Sequence, residues 1–183
     1  MSTLSLVGLC GSLRRASTNR LLMHEAARRF GEDAPFAEVD IRFPLFDEDL
    51  EAGQGIPDAV QHAADMIAGA DAVIVASPEY NKGITGALKN AFDWLSRTGS
   101  NPWRDKPVAI VSAAAGAAGG ARSQAMTRLC LTAFRPHLLT GPEVLVGQTA
   151  QQWDADGRLT NEFGAKLLSE LMADLRRAAE ARA

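Results

Sequence analysis

The sequence predicts an α/β protein with a doubly wound parallel sheet of five strands and helices on both faces. Short apolar runs alternate with helical segments five times along the chain. Two of these runs, 71–76 and 107–112, are almost continuously apolar, which is typical of strands buried on both faces of a parallel sheet. The chain has 183 residues, so we expect 1–183 to form one domain.

The first predicted unit is a strand, a loop and a helix. Residues 3–9 are a short apolar run, and a polar loop with two arginines follows over 10–18. The next helix, 19–30, stops at Gly31, a residue that commonly ends helices. Its apolar residues fall on one helical face: Leu21, Leu22, Ala26, Ala27 and Phe30.

The second unit begins with a strand over 36–41. Residues 42–55 contain a proline, two glycines and several acidic residues, which predicts an irregular surface segment. Pro57 fits the first turn of a helix. The helical stripe that follows, Val60, Ala63, Ala64 and Ile67, leads into the third strand at 71–76.

The third unit starts with a loop over 77–84. Thr85 is a good helix cap, and the helix after it has one apolar face: Leu88, Ala91, Phe92 and Leu95. A connection over 99–106 leads to the fourth strand, 107–112. A loop of small residues then covers 113–120.

The remaining elements are two helices and one strand. Helix 122–133 is expected to face inward with Met126, Leu129, Cys130 and Ala133, and the last strand covers 144–146. Thr160 is expected to cap the final helix. The apolar residues of that helix are Phe163, Leu167, Leu168, Leu171, Met172 and Leu175.

Composition and charge exclude several classes of protein. The chain has 22 acidic and 19 basic residues, a net charge of −3, so no positive field covers its surface and no nucleic-acid partner is expected. Cys10 and Cys130 are far apart and lie in no Cys/His cluster, so neither a disulfide framework nor a metal site is predicted. The start of the chain does not resemble a signal peptide, and no run reaches the ~18 apolar residues of a membrane span. A cytoplasmic protein is therefore expected.

The predicted fold places the site at one edge of the sheet. In doubly wound sheets, ligands bind outside the carboxyl ends of the strands where the strand order reverses. For the order 2-1-3-4-5, this point lies between strands 1 and 3. The loops 10–19 and 77–84 follow those strands, and loop 113–120 should lie beside them.

The first loop carries the donors of an anion site. It reads Gly11-Ser-Leu-Arg-Arg-Ala-Ser-Thr-Asn19 and leads into a helix, whose start offers free backbone N–H groups. The Gly-x-Gly-x-x-Gly fingerprint of dinucleotide sites is absent. This pattern therefore favours a terminal phosphate monoester, as in a mononucleotide. A capped helix with a solvated basic loop is the alternative.

The second loop contains the only tyrosine of the chain. Its residues Pro78-Glu-Tyr-Asn81 follow a buried strand, and they can offer backbone amides and an aromatic face to a planar ring. A tight turn with Tyr80 on the surface is the alternative.

Three segments in order resemble the NADPH-dependent FMN reductase family. They are Gly11-Ser-Leu-Arg-x-x-Ser-x-Asn19, Ser77-Pro-Glu-Tyr-Asn81 with Gly86-x-Leu-Lys-Asn-Ala-x-Asp-Trp94, and Gly116-Ala-Ala-Gly-Gly-Ala-Arg122. The resemblance implies a flavodoxin-like fold and a cytoplasmic enzyme that uses bound FMN and NADPH or NADH. The family includes quinone, chromate and azo-dye reductases, so the acceptor implied is a small molecule.

The resemblance also implies site residues. Ser12, Arg14, Ser17 and Asn19, with Thr18 as a further donor, resemble the residues that bind the FMN phosphate. Pro78, Glu79, Tyr80 and Asn81 resemble the segment along the isoalloxazine edge. The third wall would consist of Ser112, Gly116 and Gly119. One departure is Thr85, which stands where the family usually has proline.

The implied mechanism needs no catalytic side chain, because the flavin carries the chemistry and the protein supplies binding and orientation. None of the three histidines lies in a site loop, in agreement with this mechanism. Two alternatives remain: a flavodoxin-like electron carrier without NAD(P)H turnover, and an NAD-binding domain that uses Gly8, Gly11 and Asp40.

The family's usual assembly is a homodimer or homotetramer in which the partner chain covers the pocket. Apolar residues beyond one core stripe on the helices flanking the pocket suggest this interface, namely Trp94, Leu131 and Phe134. Arg122 and Glu143 resemble positions that can pair across subunits.

Overall fold

The computed structural model describes residues 3–182, and their strands form one parallel sheet. The strands are β1 (Leu6–Cys10), β2 (Phe36–Val39), β3 (Ala72–Ala76), β4 (Pro107–Ala113), β5 (His137–Leu138) and β6 (Val144–Val146). The order is β2-β1-β3-β4-β5, and β6 also pairs with β4. Every pairing is parallel. The predicted flavodoxin-like order 2-1-3-4-5 is thereby confirmed.

Residues 3–182 form six α-helices beside the sheet. They are α1 (Thr18–Phe30), α2 (Glu48–Gln54), α3 (Asp58–Gly69), α4 (Gly86–Leu95), α5 (Ala121–Leu131) and α6 (Glu162–Glu180). None of the helices formed by residues 3–182 has the length and apolar content needed to span a bilayer.

Alternating strand residues build two cores, one on each face of the sheet. Leu6 and Ile74 pack with α1 and α6, whereas their neighbours Val7 and Val75 pack with α3 and α4. Successive side chains of a strand point to opposite faces, so strands covered on both sides must be apolar throughout. The predicted faces of α3 and α4 are buried as expected. In α1, Leu21 departs from the predicted face and is 39% exposed.

The fifth strand position is occupied by two short pieces. β5 pairs with the start of β4, and β6 pairs with its end from Val111 to Ala113. The interruption contains Gly141 and Pro142, and a proline has no N–H to donate to a ladder. β6 nevertheless ends at the same edge of the sheet as β4, so the segment after it reaches the predicted site.

The prediction of an irregular segment over 42–55 is wrong in part, because α2 lies within it. Asp47 caps this helix by accepting a hydrogen bond from Asp49 N at 2.9 Å. No residue of α2 is buried. A helix without an apolar face produces no hydrophobic periodicity, so the sequence pattern could not reveal it.

The predicted orientation of α5 is also wrong. Met126 and Leu129 are 41% and 71% exposed, while Ser123, Gln124 and Thr127 are fully buried. Hydroxyl groups explain this orientation: Ser77 Oγ lies 2.5 Å from Ser123 Oγ and 2.7 Å from Thr127 Oγ1. The helix thus turns its polar face toward the end of β3, where these groups satisfy one another's hydrogen bonds.

The final helix starts one residue later than expected. Asn161, not Thr160, caps α6 by accepting a hydrogen bond from Gly164 N at 2.7 Å. Phe163 in the first turn is 73% exposed, although the sequence pattern grouped it with the apolar face. Further along, Leu168, Leu171, Met172 and Leu175 are buried as predicted.

Candidate active site

A cavity of about 260 Å³ opens where the carboxyl ends of β1, β3 and β4 meet. Its wall combines the first loop, the second loop and the end of β4, and one residue comes from the segment after β6. The lining residues are Ser12, Arg14, Ser17, Thr18, Asn19, Pro78, Glu79, Tyr80, Ala113, Ala114, Ala115 and Thr149.

Eight of the twelve predicted site residues line this cavity: Ser12, Arg14, Ser17, Thr18, Asn19, Pro78, Glu79 and Tyr80. The other four lie outside its lining: Asn81, Ser112, Gly116 and Gly119. The structure therefore brings together all the residues predicted to bind the phosphate and most of the predicted second loop. The predicted third wall is replaced by the alanines after β4 and Thr149.

Anion-binding donors line the first-loop side of the cavity. Ser17 caps α1, accepting a hydrogen bond from Arg20 N at 3.3 Å, and Thr18 begins the helix. The first turn of a helix leaves backbone N–H groups without intrahelical acceptors. With the hydroxyls of Ser12 and Thr18 and the guanidinium of Arg14, these N–H groups give this side the chemistry of a phosphate site.

Asn19 joins the first loop to the end of β4. Its side chain is buried, and both ends of its amide contact one residue: Nδ2 donates to Ala113 O at 2.7 Å and Oδ1 accepts from Ala113 N at 2.9 Å. Since these atoms are used within the protein, Asn19 sets the distance between two walls of the cavity.

Glu79 joins the second loop to α5. Its Oε2 accepts hydrogen bonds from Arg122 N at 3.1 Å and Ser123 N at 3.4 Å, and its Oε1 lies 3.6 Å from Arg122 Nη1. A carboxylate at a helix start is stabilised by the free N–H groups and by the helix dipole. Glu79 thereby fixes the second loop relative to α5, and Arg122, predicted to pair across subunits, pairs with Glu79 in its own chain.

Tyr80 lies at the rim, in a tight turn. Tyr80 and Gly83 exchange backbone hydrogen bonds of 3.1 and 3.0 Å. The two residues between them, Asn81 and Lys82, have φ of 50° and 63°, the positive values of a type I′ turn. Asn81 is used for this turn, while Tyr80 is 55% exposed beside the cavity.

Ser112 and Gly119 lie beneath the site rather than in it. Ser112 is fully buried, and its hydroxyl donates to Gly119 O at 2.6 Å and accepts from Gln124 Nε2 at 3.0 Å. Gly119 has a φ of 59°, and a Cβ there would lie 2.6 Å from the backbone of Leu145. Both residues therefore shape the third loop, whereas Gly116 lies exposed in it.

Thr149 lines the cavity from a segment that the sequence analysis did not assign to the site. It is buried at the start of a short turn after β6. Gly147 is the close contact that brings this segment in, because a Cβ there would lie 2.6 Å from Ala117 O. The sequence did predict the last strand, and in a parallel sheet its carboxyl end lies at the same edge as the cavity. The segment after that strand could therefore have been considered part of the site.

Cys10 does not act as a nucleophile in this arrangement. It is buried at the end of β1, and its Sγ lies 3.7 Å from Ser12 O. Burial raises the pKa of the Cys10 thiol, so the reactive thiolate is not the form present at neutral pH.

Replacing each histidine with glutamine is expected to leave NADPH oxidation within about threefold of wild type. None of the three lines the cavity. His24 pairs with Glu38 at 3.3 Å, and His62 and His137 are exposed on α3 and β5. Steady-state rates of the three variants test this expectation. A loss of about a hundredfold in one of them, as expected from removing a general acid or base, would contradict it.

Comparisons with known proteins agree with this geometry. Residues 4–151 match the family model described as NADPH-dependent FMN reductase. An NAD(P)H-dependent FMN reductase of Pseudomonas aeruginosa is 37% identical over 173 residues, which cover 94% of this chain and 93% of the relative. An NAD(P)H:quinone oxidoreductase of Solanum tuberosum is 41% identical over 165 residues, with 87% and 84% covered. The structure of a flavoenzyme NAD(P)H:(acceptor) oxidoreductase from Paracoccus denitrificans superposes with a TM-score of 0.86 at 31% identity, covering 97% of this chain and 98% of that one.

Proposed function

Because the chain belongs to the NADPH-dependent FMN reductase family and is an FMN-dependent NAD(P)H oxidoreductase, we propose that the cavity at the ends of β1, β3 and β4 is its FMN site. The relatives are named as reductases of FMN and of quinones, so the acceptors are of the quinone type. An electron carrier without NAD(P)H turnover is the alternative that these relatives disfavour. The observation that supports the location most strongly is the set of anion-binding donors on one side of the cavity.

The chemistry of the cavity wall fits FMN. The first-loop side offers hydroxyls, a guanidinium and free N–H groups, which suit a phosphate dianion. The one acidic side chain of the lining, Glu79, is engaged with Arg122 and Ser123 and so is neutralised in part. The remaining wall, with Pro78, Tyr80 and the alanines after β4, suits an uncharged ring system.

We assign the phosphate to Ser12, Arg14, Ser17 and Thr18. Arg14 supplies a charge-assisted contact, and the hydroxyls add donors around it. Asn19 holds the loop against Ala113, and Glu79 holds the second loop against α5. Pro78 and Tyr80 border the ring. Four predicted residues support the neighbouring loops without lining the cavity: Asn81, Ser112, Gly116 and Gly119.

FMN, when bound, supplies the redox chemistry between the nicotinamide and the acceptor. The side chains of this chain bind FMN and orient it. Arg14 balances the charge of the phosphate, and the rim at Tyr80 leaves the ring accessible to both substrates in turn. No proton transfer by a side chain is required, which is why the histidines are expected to be dispensable.

The protein is expected to prefer FMN to riboflavin by about a hundredfold or more. The two flavins differ by the phosphate, and a dianion held by charge-assisted hydrogen bonds contributes roughly 3 kcal/mol or more. Titration of flavin-free protein with each flavin, followed by flavin fluorescence, measures this ratio. Equal affinities would show that the first loop does not bind the phosphate.

We also propose that two copies assemble through the outer face of α5. The residues that suggested an interface from the sequence, Trp94, Leu131 and Phe134, are buried in the core and do not serve it. Met126 and Leu129 are exposed instead, and Met126 Sδ lies 3.1 Å from the position of a Gly83 Cβ, next to the rim. A second chain on this face would lie beside the rim of the cavity at Tyr80 and would cover it in part.

Leu129→Glu is expected to shift the assembly toward monomers of 19.5 kDa, because it places a charge in an apolar interface. Phe163→Glu is the matched control: Phe163 is equally exposed but lies on α6, away from this face. Light scattering of the FMN-loaded protein measures both masses. A fully active wild-type monomer at micromolar concentration would contradict the proposal. Three expectations remain predictions: a single FMN-binding domain over 1–183, a homodimer or homotetramer, and a cytoplasmic location.

A further inference from the structure

Thr85 connects the first loop to α4 through one buried hydroxyl. Its Oγ1 donates to Gly11 O at 2.7 Å and accepts from Leu88 N at 3.2 Å, so the same group caps α4 and holds the first residue of the loop. The side chain is only 3% exposed.

Gly11 lies in a tightly packed junction. A Cβ at this position would lie 2.8 Å from Pro78 Cδ and 3.1 Å from Leu88 Cβ. The first loop, the second loop and α4 therefore meet at Gly11, and its N–H is already used by Ala76 O at 2.9 Å. These contacts fix the position of Gly11 but not the orientation of the peptide plane between Gly11 and Ser12.

The hydrogen bond from Thr85 fixes that orientation. In a planar trans peptide, the C=O and the following N–H point in opposite directions. With the Gly11 carbonyl held toward α4, the Ser12 N–H points away from α4. Within residues 3–182, no backbone carbonyl accepts a hydrogen bond from this N–H. Ser12 itself lines the cavity.

We propose that Thr85 is a positioning residue that directs the Ser12 N–H toward the FMN phosphate and turns the Gly11 carbonyl away from it. This inference rests on the proposed phosphate site. Without the hydroxyl, the peptide could rotate, which would remove a donor from the phosphate and bring a carbonyl oxygen nearer to it. Thr85 thus acts on the phosphate through the first loop, without touching FMN.

The test compares FMN and riboflavin, because a purely structural role would weaken both equally. Flavin-free protein is titrated with each flavin, and its thermal unfolding is recorded. Thr85→Val, which is isosteric and lacks the hydroxyl, is expected to raise the Kd for FMN about three- to tenfold. The Kd for riboflavin should change less than about twofold. Thr85→Ser should restore FMN binding to the wild-type level.

Thr98→Val is the matched control. Thr98 is also buried, and its hydroxyl donates to Leu95 O at 2.9 Å and Ser100 O at 3.0 Å, at the far end of α4. This variant should lower the melting temperature and leave the FMN-to-riboflavin ratio unchanged. Thr85→Ala, which lacks the hydroxyl and has a smaller side chain, is a second variant should valine prevent folding. It should show the same selective loss for FMN.

The outcomes separate the two proposals. If wild type prefers FMN and Thr85→Val weakens both flavins equally, or weakens neither, the positioning role is overturned and the phosphate site stands. If wild type binds both flavins equally, the phosphate site itself fails, and the role of Thr85 fails with it.

Discussion

Asn19→Asp is expected to weaken FMN binding by about a hundredfold or more. The variant keeps an acceptor for Ala113 N but has no donor for Ala113 O, which lies 2.7 Å from the atom replaced. The ionised carboxylate would face that carbonyl and also stand beside the phosphate site, so both contacts become repulsive. Leaving a buried carbonyl unpaired next to a buried charge should lower the free energy of unfolding by ~2–4 kcal/mol.

Asn90→Asp provides a control with the same chemistry. Asn90 also bridges backbone groups with both ends of its amide, donating to Pro44 O at 2.9 Å and accepting from Phe46 N at 2.8 Å. It lies between α4 and the segment at Pro44 and Phe46, and it does not line the cavity. Asn90→Asp should reduce stability without reducing FMN affinity. Wild-type FMN affinity in Asn19→Asp would show that Asn19 does not set the geometry of the site.

Arg14→Ala is expected to weaken FMN binding ten- to a hundredfold. A charge-assisted contact to a phosphate contributes ~1.5–3 kcal/mol, and each 1.4 kcal/mol corresponds to a factor of ten. Among residues 3–182, the only hydrogen bond of Arg14 is made by its carbonyl, which accepts from Arg20 Nη1 at 3.2 Å, and alanine retains that group. The loss should therefore come from the missing guanidinium, and riboflavin affinity should stay unchanged.

Arg15→Ala and Arg14→Lys complete this experiment. Arg15 is the neighbouring exposed arginine and does not line the cavity, so its removal should change the Kd for FMN less than about threefold. Lysine at position 14 keeps the charge but loses the two-pronged contact of a guanidinium, so it should recover part of the affinity. An Arg14→Ala variant that binds FMN like wild type would place the phosphate elsewhere.

The sequence predicted the sheet because burial on both faces leaves a simple pattern. The runs that became β3 and β4 are apolar at nearly every position, and their order along the chain fixed the edge where the loops meet. The first loop was found for a similar reason: its donors are consecutive in sequence and open a helix. All five residues predicted in this loop line the cavity: Ser12, Arg14, Ser17, Thr18 and Asn19.

The wrong orientation predicted for α5 shows what hydrophobic periodicity cannot reveal. α5 carries both apolar and polar residues, and its orientation depends on whether Ser123 and Thr127 find partners. Those partners include Ser77, 46 residues earlier in the chain. A hydrophobic pattern favours burying Met126 and Leu129, but a buried hydroxyl network with satisfied hydrogen bonds competes with it successfully.

The third wall could not be assigned from local sequence either. Ser112 has the hydroxyl expected of a ligand contact, yet that hydroxyl is used by Gly119 and Gln124 beneath the cavity. The wall instead consists of Ala113, Ala114, Ala115 and Thr149. Thr149 reaches the site through the close approach of two loops at Gly147, and no motif near Thr149 indicates this contact.

The most direct test of the account is NADPH oxidation by flavin-free protein, with a quinone acceptor in excess, as FMN is added in steps. Bound FMN is the centre of the proposal. The rate should therefore rise in proportion to FMN and level off at one equivalent per chain, while the same titration with riboflavin should give little activity. A rate that keeps rising past one equivalent without a break, or that is the same without FMN, would contradict the assignment of the cavity as an FMN site.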